Sequence, residues 1–296
     1  MLIRDATPED IPAISALVNS IYDYEWPTEW YMWQCFENPY ETVFKIALEG
    51  DLVVGMFGMI VKKVAVSHIS GDCTWGTHKG DGIMGFRVAQ VVWINVRPEH
   101  RGRGIFSRLY EHCIADLKVD AMCIIANKAG LDACKRIGMY HIGSMERLVL
   151  DADDASTVRP PIEDYQQTSH NVLQFSRPDS RWRFSKHPVY TYVSLQAGVT
   201  VYTKRYEEYV DIVSYPCLKI KRDTDLLFSE VIDSFGGGKF TTWANPSLPH
   251  YPVLKRIGFK ESGHKNYFAM AVFNQSAKEL YDYERWHLVQ ADATNY

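Results

Sequence analysis

Arg101, Gly102, Arg103 and Gly104 place two guanidinium groups and two positions without side chains in four consecutive residues. Glycine lets main-chain N–H groups come close to an anion. Just beyond, Ile105, Phe106, Leu109, Cys113, Ile114 and Leu117 recur at helical spacing. A helix starting there adds unpaired N–H donors and a partial positive charge. Upstream, Val88, Val91, Val92, Trp93, Ile94 and Val96 have the β-branched and aromatic content of a buried strand. Strand, glycine–arginine turn and helix together make a cradle for a pyrophosphate. It is not a P-loop, because no Gly-Lys-Ser/Thr follows. Nor is it the dinucleotide fingerprint, whose third glycine is replaced by Ser107.

The elements that must hold this cradle are legible on both sides of it. Leu2 to Ala6 reads as a strand, and Thr7, Pro8 and Asp10 as a helix start. Ile11, Ile14, Leu17, Val18 and Ile21 supply that helix's apolar stripe. The stretch from Tyr22 to Tyr40 is rich in aromatic residues, among them Tyr24, Trp26, Trp30, Tyr31 and Trp33. Val43 to Leu48 and Leu52 to Val66 flank a turn at Gly50 and read as a hairpin. His68 to Gly85 contains five glycines and reads as a long loop. After the cradle come a strand from Ala121 to Ala126 ending at Asn127, a helix from Leu131 to Ile137 stopped by Gly138, and a strand from Arg147 to Leu150.

The chain has 296 residues, enough for two domains, and 46% of them are hydrophobic. A formal charge of −4 gives no bulk attraction to nucleic acid or to an anionic membrane. The six cysteines form no Cys-x-x-Cys pair, which argues against a zinc site or a disulfide framework. The polar opening and the lack of a long apolar run point to a cytoplasmic protein.

An acidic, proline-bearing segment begins at Asp151 and reads as a linker. Beyond it the element order repeats. There is a hairpin from Tyr190 to Tyr202, a strand from Val210 to Tyr215, a helix from Thr224 to Ser234, and a strand from Lys239 to Ala244 ending at Asn245. Lys135-Arg136-Ile137-Gly138 then recurs as Lys255-Arg256-Ile257-Gly258. The repeat suggests an internal duplication. No glycine–arginine turn follows the second copy's strand, so only the first copy should bind the diphosphate. The expected division is 1–150, a linker over 151–175, and a degenerate second copy over 176–296.

Arg101-x-x-Gly104-x-Phe106 after Val96-x-Pro98 resembles the acyl-CoA pyrophosphate motif of the GNAT acyltransferase superfamily, with Phe106 where a small residue is usual. Phe36-Glu37-Asn38-Pro39 and Trp182-Arg183-Phe184-Ser185-Lys186-His187-Pro188 extend a weaker resemblance to two-lobed bacterial members. The resemblance implies an α/β fold with a mixed sheet, a GNAT domain followed by a degenerate GNAT-like one. It implies transfer of an acyl group, acetyl in the main, from acyl-CoA directly to the primary amine of a small acceptor such as an amino sugar or amino acid derivative. No metal, nucleic acid or membrane is implied. The rivals are a non-catalytic acyl-CoA-binding protein and an aminoacyl-tRNA-dependent transferase built from tandem GNAT units.

By the same resemblance, the backbone of Ile94, Asn95 and Val96 should line the pantetheine, with the Val96 N–H on the thioester oxygen. Arg101, Gly102, Arg103, Gly104, Ile105 and Phe106 should hold the pyrophosphate, and Asn127 should reach the pantetheine, unless it only caps a helix. Cys134 stands where many members carry a tyrosine acid, and a core cysteine is the alternative. Gln90, Trp93 and Asn95 occupy the places where many members have a glutamate base. His68, His78 and Asp81 are candidates for that proton-accepting role. Tyr24, Tyr31 and Trp30 are candidates for the acceptor slot, unless their rings fill the seam between the two copies.

Overall fold

In the computed structural model, every strand among the described residues joins one mixed sheet. The structure describes residues 1–22, 25–68, 85–115, 117–152, 171–175, 180–196, 200–215 and 221–289. The first half contains β1 (Leu2–Asp5), α1 (Ile11–Asn19), α2 (Thr28–Cys35), β2 (Glu41–Glu49) and β3 (Leu52–His68). These are followed by β4 (Gly85–Val96), α3 (Ile105–Ala115), β5 (Ala121–Ala126), α4 (Lys128–Lys135) and β6 (Tyr140–Asp151). The second half contains β7 (Asn171–Phe175), α5 (Ser180–Ser185), β8 (Tyr192–Gln196), β9 (Thr200–Tyr206) and β10 (Tyr209–Ser214). It closes with α6 (Lys221–Ser234), β11 (Lys239–Ala244), α7 (His250–Ile257) and β12 (Lys260–Val272).

The strand order is β1-β2-β3-β4-β5-β12-β6-β11-β10-β9-β8. The last strands of the two halves have therefore changed places. β12 pairs antiparallel with β5, and β6 pairs antiparallel with β11. β6 and β12 also pair with each other at the centre. The segment expected as linker ends in a strand, because β7 pairs with the far end of β3.

The repeated tetrapeptide has a structural cause. In each copy it ends a helix whose next glycine takes a left-handed φ, +87° at Gly138 and +117° at Gly258. Met139 N–H then donates to Cys134 C=O and Phe259 N–H to Leu254 C=O, which ties off the last turn in the same way. The N-terminus of α4 lies at Lys128 rather than Leu131, because the Asn127 side chain accepts from the Gly130 N–H at 3.0 Å.

Two layers cover the first half of the sheet. On one face, α3 and α4 pack through Ile105, Leu109, Cys113, Leu131 and Cys134. Gly55 on β3 permits the close approach of α3, since a Cβ there would stand 3.0 Å from Ile105 Cγ2. On the other face, α1 and α2 pack through Ile14, Leu17, Trp30 and Trp33 onto Met56, Ile60, Val92 and Trp93. Trp33 also stacks on Trp182 of α5 at 4.2 Å. Beside that layer, Leu280, Trp286 and Leu288 from the C-terminal segment cover Val88, Cys123 and Phe268. No helix among the described residues is long and apolar enough to cross a membrane.

Candidate active site

β4 and β5 run parallel and pair only over Val88–Ala121, Ala89–Met122 and Gln90–Cys123. Both continue past that point, β4 held by β3 and β5 by β12, so a wedge opens between them. A bulge starts the divergence: Val91 pairs with Met59 and Trp93 with Gly58, which leaves Val92 as the extra residue. Beyond it, Arg97 N–H donates to Val54 C=O at 2.9 Å. The antiparallel alternation then turns the N–H groups of Val96 and Ile94 to the opposite edge, into the wedge. Asn95 is the exception among the expected lining residues, because that alternation commits its main chain to Met56 on β3.

The mouth of the wedge is the glycine–arginine turn. Gly102 and Gly104 have φ of +77° and +72°, and a Cβ at either would meet nothing within 4 Å. The requirement for glycine there is conformational, not steric crowding. Arg108 N–H donates to Gly104 C=O, so α3 starts at once and its first N–H groups lie beside the turn. Arg101 Nε donates to Val96 C=O at 3.1 Å, which folds the turn back over the strand end. Arg103 pairs with Glu49 at the end of β2, and its guanidinium also meets His100 Nδ1 at 2.9 Å. Nothing in the sequence reading anticipated Glu49, because the two halves of the pair are 54 residues apart. Phe106 turns its ring onto Phe57 at 5.6 Å, packing the helix while its backbone stays at the turn.

The wedge thus brings together Ile94, Val96, and residues 101–106 on one side, with Asn127 at the tip of β5 on the other. Asn127 is the N-cap of α4. A residue from the second half joins them: β12 sets Tyr267 opposite Ala126, on the face occupied by α4. Tyr267 was not legible as a site residue, since only the strand exchange carries it there.

Several expected site residues lie elsewhere. Cys134 has no exposed surface and sits on the core-facing side of α4, where burial pushes its thiol up to about 12. That position sets the thiol in the core rather than at the surface of the wedge. Trp30 and Tyr31 are also interior, at 2% and 0% exposure, and pack on Trp93 with ring centroids at 5.0 and 6.0 Å. They form the wall behind the wedge rather than its surface. Tyr24, His78 and Asp81 lie outside the described residues. Among the described residues, no three metal-ligating side chains converge.

The second half repeats this geometry and then blocks it. β10 and β11 are parallel and pair through Ile212–Thr242. β10 has its own bulge at Val213. Past that point Tyr215 is buried and donates through its hydroxyl to Trp243 C=O at 3.2 Å, spanning the opening. His250 and His287 close on the same ring at 5.5 and 5.6 Å.

A mixed sheet that parts between its fourth and fifth strands, with a glycine-rich turn and a helix start at the mouth, is the arrangement that the sequence resemblance to the GNAT superfamily implies. Residues 2–130 match the family model described as an acetyltransferase (GNAT) domain. Among solved structures, a GCN5-related N-acetyltransferase from Kribbella flavida is similar over 92% of this chain and 70% of its own, at 12% identity and a TM-score of 0.62. A GCN5-related N-acetyltransferase from Anabaena variabilis is similar over 92% and 72%, at 13% identity and a TM-score of 0.61. A GCN5-related glucosamine N-acetyltransferase region of a fungal multi-domain β-N-acetylglucosaminidase is similar over 91% and 38%, at 9% identity and 0.56. These likenesses concern the fold. No curated protein matches the chain.

Proposed function

We propose that the protein is an acyl-CoA-dependent N-acyltransferase that moves an acetyl group to the amine of a small acceptor, an amino sugar or an amino acid derivative. One observation carries the reading: the wedge between β4 and β5 has main-chain N–H groups along one wall and the Gly102–Gly104 turn at its mouth. Those groups fit an extended amide-bearing arm that ends in a diphosphate. Acyl-CoA supplies the activated acyl thioester.

The chain's own residues hold, polarise and exchange protons. Ile94 and Val96 N–H groups orient the arm, and Val96 N–H is placed to polarise a carbonyl oxygen. Residues 101–106 and the start of α3 hold the phosphates, with Arg101 adding charge and Arg103 shared with Glu49. Asn127 retains an amide N–H₂ after capping α4 and faces the arm from β5. Tyr267, set opposite Ala126 at the end of β5, is assigned as proton donor to the departing sulfur. Bringing amine and acyl group together supplies most of the acceleration. The second half, whose opening is filled by Tyr215, His250 and His287, takes a structural role. The fungal neighbour named for glucosamine N-acetylation supports an amino sugar as acceptor. This reading includes no metal, nucleic acid or membrane surface, and it places the enzyme in the cytoplasm.

Calorimetry with acetyl-CoA, followed by turnover with a panel of amines, tests the proposal. Binding with release of free thiol supports it. Binding without turnover favours the non-catalytic acyl-CoA binder, which the core position of Cys134 also suits. Absence of both removes the reading.

A further inference from the structure

The turn at the mouth of the wedge has little packing to hold its shape. Residues 101–104 are all exposed, and Gly102 and Gly104 both take a left-handed φ. Glycine reaches either sign of φ with similar ease, so such a turn keeps its form only if something else fixes it. Side chains do so from three strands. Arg97 Nε donates to Val53 C=O on β3 at 2.9 Å. Arg101 Nε donates to Val96 C=O on β4 at 3.1 Å. Arg103, between the two glycines, reaches across to Glu49 at the end of β2.

The third tie differs in kind, because it ends on a carboxylate and not on a main-chain carbonyl. Arg103 Nη1 donates to Glu49 Oε2 at 3.3 Å and Nη2 donates to Oε1, the forked arrangement of guanidinium and carboxylate. Nη1 also meets His100 Nδ1 at 2.9 Å. A guanidinium only donates, so the imidazole accepts at that nitrogen. Both partners are fixed by their own turns. Glu49 precedes Gly50, whose φ of +60° makes the hairpin bend, and His100 N–H donates to Arg97 C=O at 2.9 Å. The side chains of His100 and Glu49 are 14% and 30% exposed against 52% for Arg103, so the anchored side is the more sheltered one. The carboxylate also has a cost: beside a site for phosphates it is repulsive unless the Arg103 charge offsets it.

We infer that Glu49, with His100 beside it, is a positioning residue for the phosphate-binding turn: it clasps Arg103 and so holds Gly102 to Gly104 in their binding shape before the ligand arrives. The inference rests on the acyl-CoA reading and deepens it by naming what sets the cradle. Glu49 acts through Arg103 and not on the reacting atoms. Because the turn is already ordered, less ordering is left for the phosphates to bring about. Two consequences follow from the geometry. A thioester without phosphates gains nothing from the clasp. The sign of the Glu49 effect also depends on Arg103: with the arginine present the carboxylate fixes the turn, and without it the carboxylate is only an anion near the phosphates.

The experiment measures calorimetric affinity for acetyl-CoA and for S-acetylpantetheine in the parent, Glu49→Ala, Arg103→Ala and the double variant. Amide hydrogen exchange over residues 101–106 is followed in the same proteins without ligand. Glu49→Ala should weaken acetyl-CoA about fivefold, the scale of a partly exposed ion pair, and leave S-acetylpantetheine unchanged. Arg103→Ala should weaken acetyl-CoA further, and adding Glu49→Ala to it should recover about twofold. Exchange over 101–106 should be faster in Glu49→Ala than in the parent, with Glu49→Gln between the two. An equal loss from Glu49→Ala with and without Arg103, or a loss shared by S-acetylpantetheine, marks a general structural effect and overturns the inference. Unchanged or tighter acetyl-CoA binding by Glu49→Ala overturns it too. A parent that binds no acetyl-CoA instead removes the acyl-CoA reading, and the exchange rates then decide whether the clasp holds the turn.

Discussion

Cys134 and Leu254 occupy the same place in the two halves: each lends its carbonyl to the residue after the helix-ending glycine, and neither has exposed surface. A position filled by leucine in one copy needs volume, not acidity. Cys134→Ala should therefore leave kcat per folded molecule unchanged and cost about 1–2 kcal/mol of stability. Urea denaturation beside steady-state rates separates the two effects.

Gly104 sits at φ +72° with open space around it. Gly104→Val should strain the turn and re-aim the N–H groups that follow. The expected cost is about 1–2 kcal/mol, and affinity for acetyl-CoA should fall at least tenfold while the far-ultraviolet circular dichroism is retained. Calorimetric affinity equal to that of the parent would count against the phosphate assignment.

Tyr267 arrives at the wedge on β12 and has no counterpart in sequence near the cradle. Tyr267→Phe removes only an oxygen. The expected result is a fall in kcat of tenfold or more with the acetyl-CoA KM little changed, and restoration with a thioester whose leaving thiol is more acidic. Equal rates for parent and variant would return this ring to packing against His141.

Asp10 accepts from Arg4 at 2.6 and 2.7 Å, and the Arg4 hydrogen bond holds its carboxyl at about 2, against an ordinary 3.8. A depressed carboxyl contributes stability above its unfolded value and loses it as pH falls toward the folded one. Asp10→Asn should therefore destabilise by an amount on the order of 1 kcal/mol at pH 7, discounted for the exposure of Arg4. The gap between parent and variant should close between about pH 4 and pH 2, as thermal denaturation across that range would show.

What could be read from the residue order was the local part of the design. The cradle was legible because its strand, turn and helix are contiguous from Val88 to Ala115, and the hairpin around Gly50 for the same reason. The repeat around Lys135 and Lys255 was legible because a helix ending of this form needs its glycine at a fixed offset. Three features were not legible. Glu49 meets Arg103 across 54 residues, Tyr267 reaches β5 only through the exchange of β6 and β12, and Trp30 and Tyr31 proved interior because aromatic content does not distinguish a wall from a slot.

The interleaving of β12 between β5 and β6 also bears on synthesis. A ribosome delivers residues 1–126 long before it delivers 260–272, so the nascent wedge has no partner along β5 until the chain is almost complete. The exposed β5 edge is a ready template for a neighbouring polypeptide during that interval. Fragments that stop near residue 150 inherit the same bare edge permanently, and they should accumulate as aggregates where the whole chain does not.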